Sequence, residues 1–199
     1  FPQALIDGLR HKLAGQPPEA IARVDLIVNT RRMARRLREI FDAGPAGFLP
    51  RIRLLGDLDT MVPGMDMPPA IPPLRRRLEL VRLVSELLKA DPTLAPRTSL
   101  YDLADSLAGL IDEMQGEGVT AKDISNLDVT DQSGHWERAQ KFLEIAHGYL
   151  AQMSGNPDAE ARQRQIILRI ADRWITQPPQ NPIIIAGSTG SRGTTSLLM

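Results

Sequence analysis

The sequence predicts an α/β protein whose small parallel sheet is built from both ends of the chain. Apolar, β-rich runs occur near each end, at 24–28 and 182–186, and the residues between them mostly keep helical spacing. We therefore expect an α/β core from residues 1–60 and 180–199, with a large all-helical insertion over 68–179.

The first third of the chain predicts two helices and two strands in alternation. Leucines at fourfold spacing indicate a short helix over 4–13, which the glycine and prolines that follow would end. The strand at 24–28 runs into Asn29 and Thr30, whose side-chain oxygens suit the cap of a helix over 31–41. Basic and apolar residues then alternate over 51–55, a pattern typical of a second strand.

The middle of the chain predicts a linker followed by helices. Residues 61–73 contain five prolines and three methionines, a composition that disfavours any regular element. Apolar residues then keep helical spacing from Leu74 to Leu88 and again over 100–114, and further helices are expected over 135–153 and 157–175. The insertion is therefore predicted to be helical throughout.

Composition excludes several classes of protein. The 199 residues carry 24 Lys plus Arg against 24 Asp plus Glu, so the chain is not a generally basic nucleic-acid coat. There is no cysteine, which excludes disulfides and cysteine-held metal clusters, and the three histidines lack ligand spacing. Because no apolar stretch spans a bilayer and no signal peptide stands at the start, we expect a soluble, cytoplasmic protein. The first residue is Phe1, so we also expect a piece of a longer protein.

The turn after the last strand resembles a phosphate-binding loop only in part. It contains Gly187, Ser188, Gly190 and Gly193, and small residues between a strand and a helix can offer backbone N–H groups to a phosphate. The turn lacks the lysine of a Walker A loop and the glycine spacing of a dinucleotide fingerprint, and no acid follows the strand. We therefore predict a degenerate turn, with no catalytic residue, cofactor or metal in this segment.

Charge is distributed unevenly along the chain. Residues 23–53 contain eight arginines against three acids, and residues 101–131 contain eight acids against one lysine. On the predicted helix over 31–41, Arg31, Arg35 and Arg38 fall on one side, where a stripe of guanidiniums suits phosphate groups. The alternative is a solvated helix face that pairs with acids elsewhere. The acidic helix over 102–117 is expected to be structural or to face a partner.

The chain resembles the N-terminal region of the AddB family, the helicase-nuclease subunits of double-strand break repair, in its alphaproteobacterial form. Five segments carry the resemblance, and together they span nearly the whole chain. They are VNTRRMARRLRE (28–39), LPRIRLLGDL (49–58), PPLRRRLEL (72–80), DLADSL with DEMQGEG (102–107 and 112–118), and IIAGSTGSRG (184–193).

The resemblance implies a superfamily 1 helicase-like core, related to P-loop NTPases and catalytically degenerate, with a nuclease beyond residue 199. Thr30 and Arg31 then occupy the turn that resembles helicase motif Ia, which contacts single-stranded DNA, and Arg32, Arg35 and Arg38 continue the DNA-binding set. The implied partners are the motor subunit AddA, single-stranded or end-containing DNA, and the remainder of the AddB chain. ATP and Mg²⁺ are expected for the whole complex only. The alternative is a structural scaffold that docks the motor subunit without touching DNA.

Overall fold

The computed structural model describes residues 1–61, 66–126, 134–152, 156–188, 190 and 193–199. It is a mixed α/β structure, mostly helical, with one small sheet. None of the helices within these ranges is long and apolar enough to cross a membrane.

The helices are α1 (Pro2–Lys12), α2 (Arg31–Asp42), α3 (Pro73–Ala90), α4 (Leu100–Glu117), α5 (Ala121–Ser125), α6 (Gly134–Gln152), α7 (Ala159–Thr176) and α8 (Gly193–Ser196). The strands are β1 (Asp25–Val28), β2 (Arg51–Leu54) and β3 (Ile183–Ala186), and short 3-10 segments cover Pro18–Arg23, Leu55–Met61 and Arg97–Ser99.

The chain forms two compact units. The first contains residues 1–65 and 166–199, and the second contains residues 66–165. The division therefore falls inside α7, and residues 166–179, which the sequence analysis assigned to the helical insertion, belong to the first unit.

The sheet has the order β2-β1-β3, and both pairings are parallel. Leu26 of the central strand lies beside Ile52 on one side and Ile184 on the other. The two ends of the chain thus share one sheet, and the predicted α/β class is confirmed. All three strands fall within a residue of the positions that the sequence predicts.

Helices α1 and α2 supply the core that covers one face of the sheet. Leu26 and Val28 point to this face, since alternate residues of a strand share a side, and both are fully buried. They pack with Ile6 of α1 and with Leu37 and Phe41 of α2. Burying a side chain of this size stabilises the fold by about 1.5–3 kcal/mol, so these contacts hold α2 in place.

The core of the second unit lies between α3, α4 and α6. Leu80, Val84 and Leu88 of α3 are buried against apolar residues of α4 and α6. Leu74 and Leu78 keep helical spacing in the sequence, yet they lie 68% and 56% exposed. Helical spacing therefore predicts the helix correctly but does not tell which apolar residues of α3 are buried.

A largely buried arginine, Arg76, links three parts of the second unit. Arg76 Nη2 of α3 lies 2.7 Å from Asp112 Oδ1 of α4 and 3.3 Å from Asp158 Oδ2, and it donates to the Ala108 carbonyl. Asp158 is fully buried, and its Oδ1 accepts a 3.0 Å bond from the Ala161 N–H at the start of α7. Buried charges are retained where they are paired in this way.

We expect the stability of the second unit to fall between about pH 4 and pH 2, in part through Asp91. The Lys141 ammonium donates to Asp91, Thr93 donates to it as well, and these bonds lower the pKa of Asp91 from 3.8 to about 2. A lowered pKa contributes stability above the unfolded value, which is lost as pH falls through the folded value.

The test compares wild type with Asp91→Asn in urea unfolding at pH 5 and pH 2.5. The stability gap between the two proteins should be larger at pH 5. Glu113→Gln, at an exposed position of α4, is the control. An equal gap at both pH values would contradict this assignment.

Candidate nucleic-acid interface

A groove of about 530 Å³ lies between α2, β2 and the 3-10 segment that follows β2. It is next to the carboxyl ends of β1 and β2, the edge at which open parallel sheets usually bind ligands. Three arginines, two aspartates and one hydroxyl line it, together with three apolar residues. The lining residues are Arg31, Ala34, Arg38, Ile52, Arg53, Leu54, Asp57, Asp59 and Thr60.

Thr30 fixes where α2 begins. Its backbone is extended, with φ −137° and ψ 147°, and its Oγ1 accepts a 3.1 Å hydrogen bond from the Met33 N–H. This is the N-cap that the sequence predicts, and it satisfies one of the free N–H groups of the first turn. Thr30 therefore has a structural role whatever else it contacts.

The first turn of α2 is cationic. It begins with Arg31 and Arg32, both exposed, and contains no acid. Positive side chains are disfavoured at the positive end of a helix dipole, so helix stability does not account for these residues. The N-terminal end of α2 is therefore a cationic surface that attracts anions.

The arginines of α2 do not all face the groove. Arg31 and Arg38 line it, and within the described part of the chain the Arg31 side chain makes no hydrogen bond or ion pair. Arg38 makes one long 3.5 Å contact to the Ile52 carbonyl. The predicted stripe thus contributes two of its three members to the groove.

Arg35 points outward but is engaged by an acid. It is 83% exposed, and its Nε lies 3.0 Å from Glu39 Oε1, while Arg36 lies 3.3 Å from the other oxygen of the same carboxylate. These hydrogen bonds, from Arg35 first and Arg36 second, lower the pKa of Glu39. The alternative interpretation, a solvated face paired with acids, therefore describes Arg35.

Arg53 is a groove residue that the sequence analysis did not assign to the site. The alternation around it indicates a strand and says nothing of its neighbours. Its Nε donates a 2.6 Å bond to Asp25 Oδ1, and its Nη1 lies 3.4 Å from Thr60 Oγ1. No local signal reveals this contact, because it depends on the pairing of β1 with β2.

Two hydrogen bonds hold the described residues of the glycine-rich turn after β3, one of them from outside the turn. Asn29, which follows β1, donates a 2.6 Å bond to the Gly187 carbonyl, and the Gly190 N–H lies 3.3 Å from Ser188 Oγ. Gly187 and Gly190 have φ of +80° and +68°, values that favour glycine. Gly193 begins the short α8, whereas Thr189, Ser191 and Arg192 lie outside the described residues.

The turn after β3 would need a lysine for the phosphates and an acid for the metal to hold ATP with Mg²⁺ in the usual way. Its described residues include neither a lysine for the phosphates nor an acid for the metal. Among the residues that the structure describes, no cluster of three or more metal-ligating side chains occurs.

Arginines of α3 already engage part of the acidic helix. Asp105 of α4 accepts two hydrogen bonds from Arg77, at 2.8 and 2.7 Å, and these lower its pKa. Asp112 pairs with Arg76 as described above. These two acids hold α3 against α4, which leaves less of the acidic face for a partner.

Replacing Thr30 by alanine should destabilise the first unit by about 0.5–2 kcal/mol, the usual cost of losing an N-cap hydroxyl. Thr30→Ser keeps the oxygen and should retain most of the wild-type stability. Urea unfolding followed by circular dichroism measures both. Equal losses in the two variants would show that the hydroxyl is not the stabilising group.

Comparison with known proteins does not identify a family. No protein-family model matches the chain, and no curated protein is similar enough to serve as a relative. The functional assignment therefore depends on the residues and geometry described above.

Proposed function

We propose that this chain is a helicase-like lobe of an AddB-type helicase-nuclease subunit, inactive as an ATPase, and that it holds single-stranded DNA. The observation that carries the proposal is the arginine-lined groove at the carboxyl edge of the sheet. Three of its lining residues are permanently cationic guanidiniums, the side chain best suited to bind a phosphate in a bidentate manner.

The topology supports a helicase-like core. β1 is followed directly by α2 and then by β2, and β3 adds on the other side of β1 after a long helical excursion. Connections from β1 and β2 therefore leave in opposite directions across the sheet, an arrangement that open α/β nucleotide- and nucleic-acid-binding proteins share. The likeness of fold is an analogy, and the site carries the function.

The charge of the groove suits a backbone more than a small anion. Asp57 and Asp59 line it beside Arg31, Arg38 and Arg53, so its wall carries both cationic and acidic groups. A flexible single strand can place its phosphates on the arginines and keep them away from the carboxylates. Such contacts position a strand and do not read its sequence.

The described part of the turn after β3 contains no acid. This supports the proposal that the lobe does not hydrolyse ATP. In this scheme ATP and Mg²⁺ belong to the motor subunit AddA. The lobe contributes a fixed cationic surface along the path of the strand.

The alternative function is a scaffold for the motor subunit with no DNA contact. Leu74 and Leu78, exposed on α3, favour it, because they border an apolar depression with Pro72. The pairing of Asp105 and Asp112 with α3 argues against the acidic helix as the docking face. A chain that binds purified AddA and does not shift an oligonucleotide would support the scaffold.

The DNA proposal predicts that Arg31→Ala with Arg38→Ala weakens binding to an oligo(dT) strand at least about tenfold. Charge-assisted hydrogen bonds are worth about 1.5–3 kcal/mol each, and about 1.4 kcal/mol is a tenfold change. The logarithm of affinity should also fall with the logarithm of salt concentration, by about 0.7 per phosphate contact. Fluorescence anisotropy over a salt series measures both quantities.

The matched control is Arg75→Ala with Arg82→Ala, which removes the same charge from exposed positions of α3. Asp57→Asn is a control of opposite sign, since removing a carboxylate from the groove should tighten binding. Salt-independent binding, or equal losses in the two double variants, would refute the groove as the DNA site.

A further inference from the structure

Arg53 is held in the groove by contacts on one side of its guanidinium. Its Nε donates to Asp25 Oδ1 at 2.6 Å, and its Nη1 lies 3.4 Å from Thr60 Oγ1, which itself donates a 2.8 Å bond to the Asp57 carbonyl. Arg53 is one of the residues that line the groove, and its side chain is 27% exposed. Its orientation is therefore set before any ligand arrives.

Asp25 is suited to hold this arginine. It opens the central strand and is 7% exposed. Residues 25, 51 and 53 share one face of the sheet, because the parallel register pairs Asp25 with Arg51 and Ile27 with Arg53. A buried carboxylate is stable only when it is paired, so Asp25 and Arg53 constrain one another.

The rest of the Arg53 guanidinium is available to a ligand. Arginine presents several N–H groups in one plane, and within the described residues Nη2 of Arg53 has no hydrogen-bond or ion-pair partner. Building on the proposed function, we infer that Arg53 is a third phosphate-binding arginine of the groove, with Asp25 as its positioning residue. Arg31 and Arg38 approach the same groove from α2, so the strand is held between a helix and a sheet edge.

Arg51 provides a matched comparison on the same strand and the same face. Its Nη1 lies 3.7 Å from Asp25 Oδ2, so it also neutralises that carboxylate. It is 49% exposed and does not line the groove. If pairing with Asp25 serves only the fold, replacing either arginine should have the same effect on DNA binding. If Arg53 binds a phosphate, only the replacement of Arg53 should weaken binding.

The first experiment measures the salt dependence of oligo(dT) binding by the whole chain, with Arg53→Ala and Arg51→Ala. Arg53→Ala should weaken binding and reduce the salt slope by about 0.7, the value of one phosphate contact to a single strand. Arg51→Ala should leave the slope unchanged. An unchanged slope in Arg53→Ala, or an equal reduction in both variants, overturns the inference.

The second experiment tests the positioning role of Asp25. Asp25→Asn should weaken binding in the wild-type background and have no further effect in the Arg53→Ala background, since it acts through that arginine. An equal effect in both backgrounds overturns the positioning role. Thermal unfolding of each variant, followed by circular dichroism, verifies that it is folded at the assay temperature.

The two proposals fail in different ways. If the wild-type chain does not bind oligo(dT), the proposed function and this inference both fail. If Arg31→Ala with Arg38→Ala weakens binding while Arg53→Ala does not alter the salt slope, only the assignment of Arg53 fails.

Discussion

The parallel pairing of β1 with both of its neighbours is the constraint on which the first unit depends. Each strand has only four residues, so the sheet is stable only because its central strand is paired on both edges and buried. Leu26, Ile27 and Val28 have no exposed surface. The same pairing brings the turns after β1, β2 and β3 to one edge, where Asn29 bonds to the Gly187 carbonyl and the groove opens. Loss of this pairing would remove the fold and the candidate site together.

Some residues of the groove destabilise the fold, and neighbouring residues partly compensate for this. Arginine at the first turn of α2 opposes the helix dipole, and Thr30 compensates in part by capping the same turn. Arg53 is placed near a cationic helix, but Asp25 neutralises one side of it. Proteins commonly accept such local conflicts at functional sites and compensate for them elsewhere. The arrangement therefore supports a role in binding more than a role in stability.

The second unit depends on a different interaction, the buried pairing of Arg76 with Asp158. Asp158 caps α7, so the arginine ties the start of α3 to the start of α7. Apolar contacts between α3, α4 and α6 would permit several orientations, because Leu-rich helix faces are adaptable. The ion pairs of Arg76 with Asp112 and Asp158, together with its hydrogen bond to the Ala108 carbonyl, favour one of these orientations. Pro68, Pro69 and Pro72 precede α3 and disfavour its extension toward the N-terminus, since proline supplies no backbone N–H.

Local chemistry in the sequence was enough to predict the strands, the main helices and the cap at Thr30, since each depends on residues close together in the chain. Tertiary structure decided which faces are buried, as Leu74 and Leu78 illustrate, and which arginines meet in the groove. Arg35 belongs to the predicted stripe yet pairs with Glu39, whereas Arg53 lines the groove and is held by its bond to Asp25. Glu39 lies four residues after Arg35 on the same helix, so that pair follows from local spacing. The pairing of Arg53 with Asp25 is set by the pairing of β1 with β2, and no spacing along one element encodes it.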